Sequence, residues 1–83
     1  MDIISIGHNN FVPKHKISGF YQINSRPIRN LITTARLKEK LIDATNGKRS
    51  KAVIILSDEF VILSSISPKT LAERFIGDDS FNG

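Results

Sequence analysis

An asparagine-glycine pair between two apolar runs is the feature that most restricts how this chain can fold. Asn46 and Gly47 both tolerate the positive φ angles of a tight turn, so the pair is a strong hairpin signal. We therefore predict a β-hairpin with strands over residues 41–45 and 51–56. Lys48, Arg49 and Lys51 would lie at its exposed tip, where they do not serve a core and suit contact with a polyanion such as a nucleic acid.

The cations are concentrated in one part of the sequence. Residues 14–51 contain ten lysines and arginines but only two acidic residues, a net charge of +8 against +4 for the whole chain. The remaining residues carry a net charge of −4. This segregation favours an electrostatic binding surface, and the alternative is a solvated basic surface with no specific partner.

Size and composition favour self-association. A single domain of 83 residues buries only about 60–65% of the surface that its unfolded chain exposes. The chain has no cysteine and no Cys/His cluster, so neither disulfides nor a structural metal can stabilise it. A homo-oligomer is the remaining common route. With no signal peptide and no membrane span in the sequence, we expect a cytoplasmic protein.

The remaining pattern predicts a small α+β domain with a mostly antiparallel sheet. Strands are expected over 3–6, 15–24 and 60–66, with a short extended piece at 11–13, and Gly19 marks either a bulge or a close backbone approach. A longer helix is expected over about 25–40, capped by Ser25, and a short helix over about 67–76. We predict one domain over 1–76 and a flexible tail over 77–83.

Two predicted strands are apolar on both faces, namely residues 53–56 and 61–63. Such strands need cover on both sides of the sheet. The longer helix can cover one side, and the short helix is too small to cover the other alone. We therefore predict that a second subunit covers the second face.

Catalytic and metal-binding patterns are missing from the sequence. It has no Gly-rich phosphate loop, no Ser-His-Asp order and no metal-ligand spacing, so we expect no enzyme activity and no cofactor. His8 and His15 have no carboxylate nearby in sequence and suit a turn hydrogen bond better than a metal site. Asp58 and Glu59, adjacent in a predicted turn, are interpreted as solvated rather than as a catalytic pair.

The order of these segments resembles the RemA family of extracellular-matrix gene regulators in bacteria. The matching residues form four groups: 4–7 near the start, 27–29 at the helix start, 41–54 around the basic loop, and 61–66 with Pro68, Thr70, Leu71, Arg74 and Phe75. The resemblance spans about residues 3–75. It implies an α+β transcriptional regulator that binds double-stranded DNA, associates with the nucleoid, assembles into a ring-like homo-oligomer and has a LytTR-like DNA-binding surface.

The resemblance also implies which residues contact DNA. The family's adjacent basic pair matches Lys48 and Arg49, and a further basic position matches Lys16. Lys16 and Lys48 stand where the family typically has arginine, which keeps phosphate attraction but weakens base readout. Together with the charge pattern, this gives a predicted DNA-binding set of Lys16, Lys48, Arg49, Lys51, Arg29 and Arg36.

Two other functions fit the same residues. An RNA-binding post-transcriptional regulator would use the basic surface on single strands, with exposed aromatic rings stacking on bases. A protein-interaction module would dock its basic face on an acidic partner.

Overall fold

A computed structural model describes residues 2–77 of the chain. The elements follow one another as β1 (Ile3–Gly7), β2 (Asn10–Pro13), a 3-10 turn (Lys14–Lys16), β3 (Ile17–Gln22), α1 (Arg26–Leu37), β4 (Leu41–Asp43), β5 (Ala52–Leu56), β6 (Val61–Ser64) and α2 (Pro68–Gly77). Within these residues no helix is long and apolar enough to cross a membrane. The predicted tail begins at Gly77, which is the last residue of α2, and residues 78–83 lie outside the described part.

The predicted hairpin over 41–45 and 51–56 is wrong. The main sheet has the order β3-β5-β6-β4, so β6 lies between the two strands that we expected to pair. The turn itself is confirmed: Asn46 and Gly47 have φ angles of 55° and 81°. Residues 61–63 of β6 are apolar on both faces, which favours an interior position for this strand and leaves the three-residue β4 at the edge, parallel to it. The basic segment is therefore a crossover loop over residues 44–51, which we call the basic loop.

The helix α1 begins as its sequence predicts. The Ser25 hydroxyl accepts a hydrogen bond from the Ile28 backbone N–H at 3.4 Å, and Pro27 lies in the first turn. The helix ends at Leu37, three residues before the predicted end, because Glu39 adopts a φ of 59° that helical backbone does not allow. Lys40 consequently leaves the helix and pairs with Glu59 at 3.8 Å.

Both faces of the main sheet are covered within one chain. On one face, α1 packs Ile32 and Ala35 against Val53 and Val61. On the other, the β1–β2 hairpin and α2 pack together; the buried members of that cluster are Ile4, Ile6, Val12, Ala44, Ala52, Ile54, Ile62 and Leu71. The prediction that a second subunit covers this face is wrong, because the N-terminal hairpin supplies the area that α2 lacks.

A bulge at Gly19 is confirmed by a register shift between Ile17 and Gly19 in β3. The shift puts Phe20 in the same core cluster as Ile17, while Ile23 packs on the opposite face of the sheet. Tyr21 is 44% exposed. Its ring lies 2.7 Å from where a Cβ of Gly19 would be, so a larger residue at position 19 would require the exposed tyrosine ring to shift.

Candidate nucleic-acid interface

Several chain segments meet at one end of the main sheet. Strand β3 ends and β5 begins there, because Gln22 pairs with Ala52, and β6 ends there, because Ala52 pairs with Ser64. Strand β4 runs parallel to β6 and so ends at the same edge. The basic loop and the starts of both helices follow these strand ends. We call this region the basic end, with the cations Arg26, Arg29, Lys48, Arg49, Lys51 and Lys69.

The basic loop is hydrogen-bonded to strand β6 at both of its ends. The Ala44 N–H donates to the Leu63 carbonyl at 2.9 Å, and the Lys51 N–H donates to the Ser64 carbonyl at 2.8 Å. Within the loop, the Lys48 N–H donates to the Thr45 carbonyl at 3.0 Å. The side chains of Lys48 and Arg49 are exposed on this fixed backbone. These hydrogen bonds therefore restrict the backbone from which the two cationic side chains extend.

The carboxylate of Asp43 holds the start of the loop. Its Oδ1 accepts hydrogen bonds from the Thr45 hydroxyl at 2.6 Å and from the Thr45 N–H at 2.9 Å. Both hydrogen bonds lower the pKa of Asp43 below its ordinary value, and the bond from the Thr45 hydroxyl has the larger effect. Asp43 does not pair with Arg49, since among residues 2–77 Arg49 makes no ion pair.

Thr45→Val is expected to raise the pKa of Asp43 towards its ordinary value, because it removes the larger of the two causes of the shift. A lowered folded-state pKa stabilises the fold at pH above the unfolded pKa, and this stabilisation is lost as the pH falls below about 4. The variant should lose most of that pH dependence and keep the part that comes from the Thr45 N–H bond. A carboxyl-carbon NMR titration measures the pKa, and urea unfolding at several pH values measures the stability, with the exposed Thr33→Val as the control. An unchanged Asp43 titration would show that the hydroxyl is not the cause.

A groove at the basic end brings together cations from distant parts of the sequence. Arg49 and Lys51 from the loop and Lys69 from α2 line the same concave surface. The sequence prediction missed Lys69, which lies outside the basic segment 14–51. One signal could have identified it: a lysine in the first turn of a helix is electrostatically unfavourable there unless an anion binds nearby.

A second groove adjoins the first. It is lined by Arg29 and Thr33 of α1, and it shares Ile23 and Asn24 with the groove that holds Arg49. Neither helix has an acidic residue in its first turn. Both positive helix ends therefore add to the field of the side-chain cations at this end of the molecule.

The structure separates two of the predicted site residues from the others. Lys16 precedes β3 at the opposite end of the sheet, where its carbonyl accepts from the Ser57 N–H at 2.8 Å. Arg36 lies in the last turn of α1, which starts at the basic end and runs away from it. The length of β5 puts the two ends about 13 Å apart. The acidic residues Asp58 and Glu59 also lie at this opposite end, so the positive charge there is partly offset.

The contacts of His8 and the spacing of possible metal ligands can be compared with the sequence predictions. His8 lies in the β1–β2 turn, and its Nε2 is 3.2 Å from the Ser65 hydroxyl oxygen. Within residues 2–77, no three His, Asp or Glu side chains come together in a way that could hold a metal ion.

Comparison with known proteins gives a consistent result. The model of the RemA-like family, described as extracellular matrix regulatory protein A-like, matches residues 3–75. The chain belongs to the RemA-like family. It is 45% identical to a protein of Geobacillus thermodenitrificans over 82 residues, covering 99% of this chain and 94% of that protein. It is 49% identical to a protein of Cyanothece sp. over 78 residues, covering 92% and 86%. Both relatives are named "Putative regulatory protein".

The match to RemA-like proteins includes the basic loop and the start of α2, because both lie within residues 3–75. The family is one of regulatory proteins, so the basic end of this RemA-like chain belongs to a regulator.

Proposed function

We propose that this RemA-like chain is a transcriptional regulator that binds double-stranded DNA through its basic end, acts at the nucleoid and repeats the basic end in a homo-oligomer. The observation that carries the proposal is the concentration of six cations around the ends of three strands and the starts of two helices. The basic loop itself has no acidic residue, and the carboxylate of Asp43, which precedes it in β4, is engaged by Thr45.

The arrangement suits phosphate contact better than internal pairing. Within the described part of the chain, neither Lys48, Arg49 nor Lys51 forms an ion pair. Cations that neutralise phosphates release condensed counterions, which is the main source of affinity in sequence-independent DNA binding. Arg49 also offers a planar fork for a bidentate phosphate contact.

One subunit supplies few such contacts, so a homo-oligomer would bind a duplex more tightly than a single subunit would. Linking several weak sites raises apparent affinity by about 10²–10⁴-fold without new kinds of contact. A ring of subunits would present the basic end several times to one duplex. Lys16 and Arg36, at the opposite end, would contact that duplex only from a neighbouring subunit.

The test is a binding titration with three ligands of the same length: a duplex DNA, a single-stranded RNA and a heparin fragment. We expect the duplex to bind most tightly, with an affinity that falls steeply as salt is raised. Tighter binding to the RNA would favour the RNA-binding alternative, for which the 44% exposed Tyr21 beside the basic end is the supporting observation. Failure to bind any of the three would reject the proposed function.

Lys69→Ala is expected to reduce the slope of log affinity against log salt by about 0.9 for each subunit that contacts the duplex, because one phosphate contact is lost. Duplex titrations at four or more salt concentrations measure the slope. Lys38→Ala removes the same charge from the far end of α1 and should leave the slope unchanged. Equal slopes for Lys69→Ala and the unsubstituted protein would remove Lys69 from the interface.

A further inference from the structure

Two amide side chains lie among the cations of the basic end. Gln22 is the last residue of β3, and Asn24 follows it before α1. Both are exposed and line the groove that contains Arg49, Lys51 and Lys69. Asn24 also lines the groove of Arg29, so it stands between cations on its two sides.

Neither amide is needed by the local structure. Asparagine before a helix commonly caps it, but here Ser25 is the capping residue. Gln22 takes part in the sheet through backbone pairing with Ala52. Within residues 2–77 neither amide side chain forms a hydrogen bond, so the donors and acceptors of both are available.

The chemistry of this arrangement differs from that of a simple cationic patch. Lysine and arginine contacts to phosphate position a protein on a duplex but carry no sequence information. An asparagine or glutamine amide pairs with the N6 and N7 edge of adenine in the major groove. A DNA groove is bounded by phosphates on both sides, and Asn24 has cations on both sides. We propose that Gln22 and Asn24 contact base edges and determine sequence preference, an inference that rests on the proposed DNA-binding function.

The experiment begins with selection of preferred sites from a pool of random duplexes by the full-length protein. Affinities are then measured for one selected duplex and for a scrambled duplex of the same composition. Asn24→Ala is expected to reduce the ratio of the two affinities about tenfold, within the range of a bidentate base contact. Its affinity for the scrambled duplex and its salt slope should not change. Asn30→Ala, at an exposed asparagine of α1, is the matched control and should keep the full ratio.

Two results would overturn the inference. The unsubstituted protein could bind both duplexes equally, or the ratio of the two affinities could be unchanged in both Asn24→Ala and Gln22→Ala, whether or not the affinities themselves fall. Each of these leaves the proposed DNA binding intact, because the scrambled duplex is still bound by the unsubstituted protein. Failure of that protein to bind either duplex would instead reject the proposed function and this inference with it.

Discussion

Replacing Arg49 with alanine is expected to weaken duplex binding by at least tenfold per subunit, which corresponds to the loss of one charge-assisted hydrogen-bonded contact. In an assembly the loss is repeated at every bound subunit, so the apparent affinity should fall on the order of a hundredfold or more. Arg49 is exposed on a loop whose ends are hydrogen-bonded to β6. Truncation should therefore leave the fold unchanged. Fluorescence anisotropy with a labelled duplex at fixed salt measures the effect.

Arg49→Lys is the matched control for this experiment, because it keeps the charge and removes the planar fork. It should retain part of the affinity that alanine loses. Circular dichroism and sedimentation of both variants check that folding and assembly are preserved. Unchanged affinity of Arg49→Ala at the same salt would contradict the assignment of the basic loop to the interface.

The sequence was sufficient to predict local structure but not strand pairing. The backbone preferences of Asn46 and Gly47 are sufficient to predict a turn at these residues, and the structure confirms the turn. Which strands pair depends instead on the competition among buried strands for the centre of the sheet. Strand β6 takes an interior position because residues 61–63 are apolar on both faces, and this separates β4 from β5. Turn residues alone contain no information about that competition.

The candidate site, too, could be predicted only in part from the sequence. Lys48, Arg49 and Lys51 were predicted as a group because they are neighbours in sequence. Lys69 and Asn24 join them only through folding, since β3, β5 and β6 bring distant segments to one edge. Charge counting along the chain cannot show this, and it also cannot show that Lys16 and Arg36 fall at the opposite end.

Both apolar faces of the main sheet are covered within one chain, so they do not require a second subunit. The sequence predicts self-association partly because two apolar faces need more cover than one helix provides. The β1–β2 hairpin and α2 together supply that cover. A homo-oligomer of this chain must therefore use other surfaces, and the sheet leaves two edge strands, β3 and β4, at its sides. The half-exposed Ile42 lies on one of these edges.

The connection between the main sheet and the N-terminal hairpin leads to the largest stability effect that we expect. Ser64 is completely buried. Its hydroxyl donates to the Ile6 carbonyl of β1 at 2.9 Å and accepts from the Ile66 N–H at 3.0 Å. One side chain thus joins the central strand of the main sheet to the hairpin that covers its second face.

Ser64→Ala should lower the free energy of unfolding by about 3 kcal/mol, because the Ile6 carbonyl and the Ile66 N–H both lose a buried partner and each unpaired group costs about 1–3 kcal/mol. That is a large share of the stability of a domain this small, for which about 4–12 kcal/mol is typical. Urea unfolding followed by circular dichroism measures the change. Ser57→Ala, in the exposed turn before β6, should stay within about 0.5 kcal/mol of the unsubstituted protein. A loss below about 1 kcal/mol in Ser64→Ala would mean that the Ser64 hydroxyl is not what holds the hairpin on the main sheet, since it would then contribute no more than an ordinary exposed hydrogen bond.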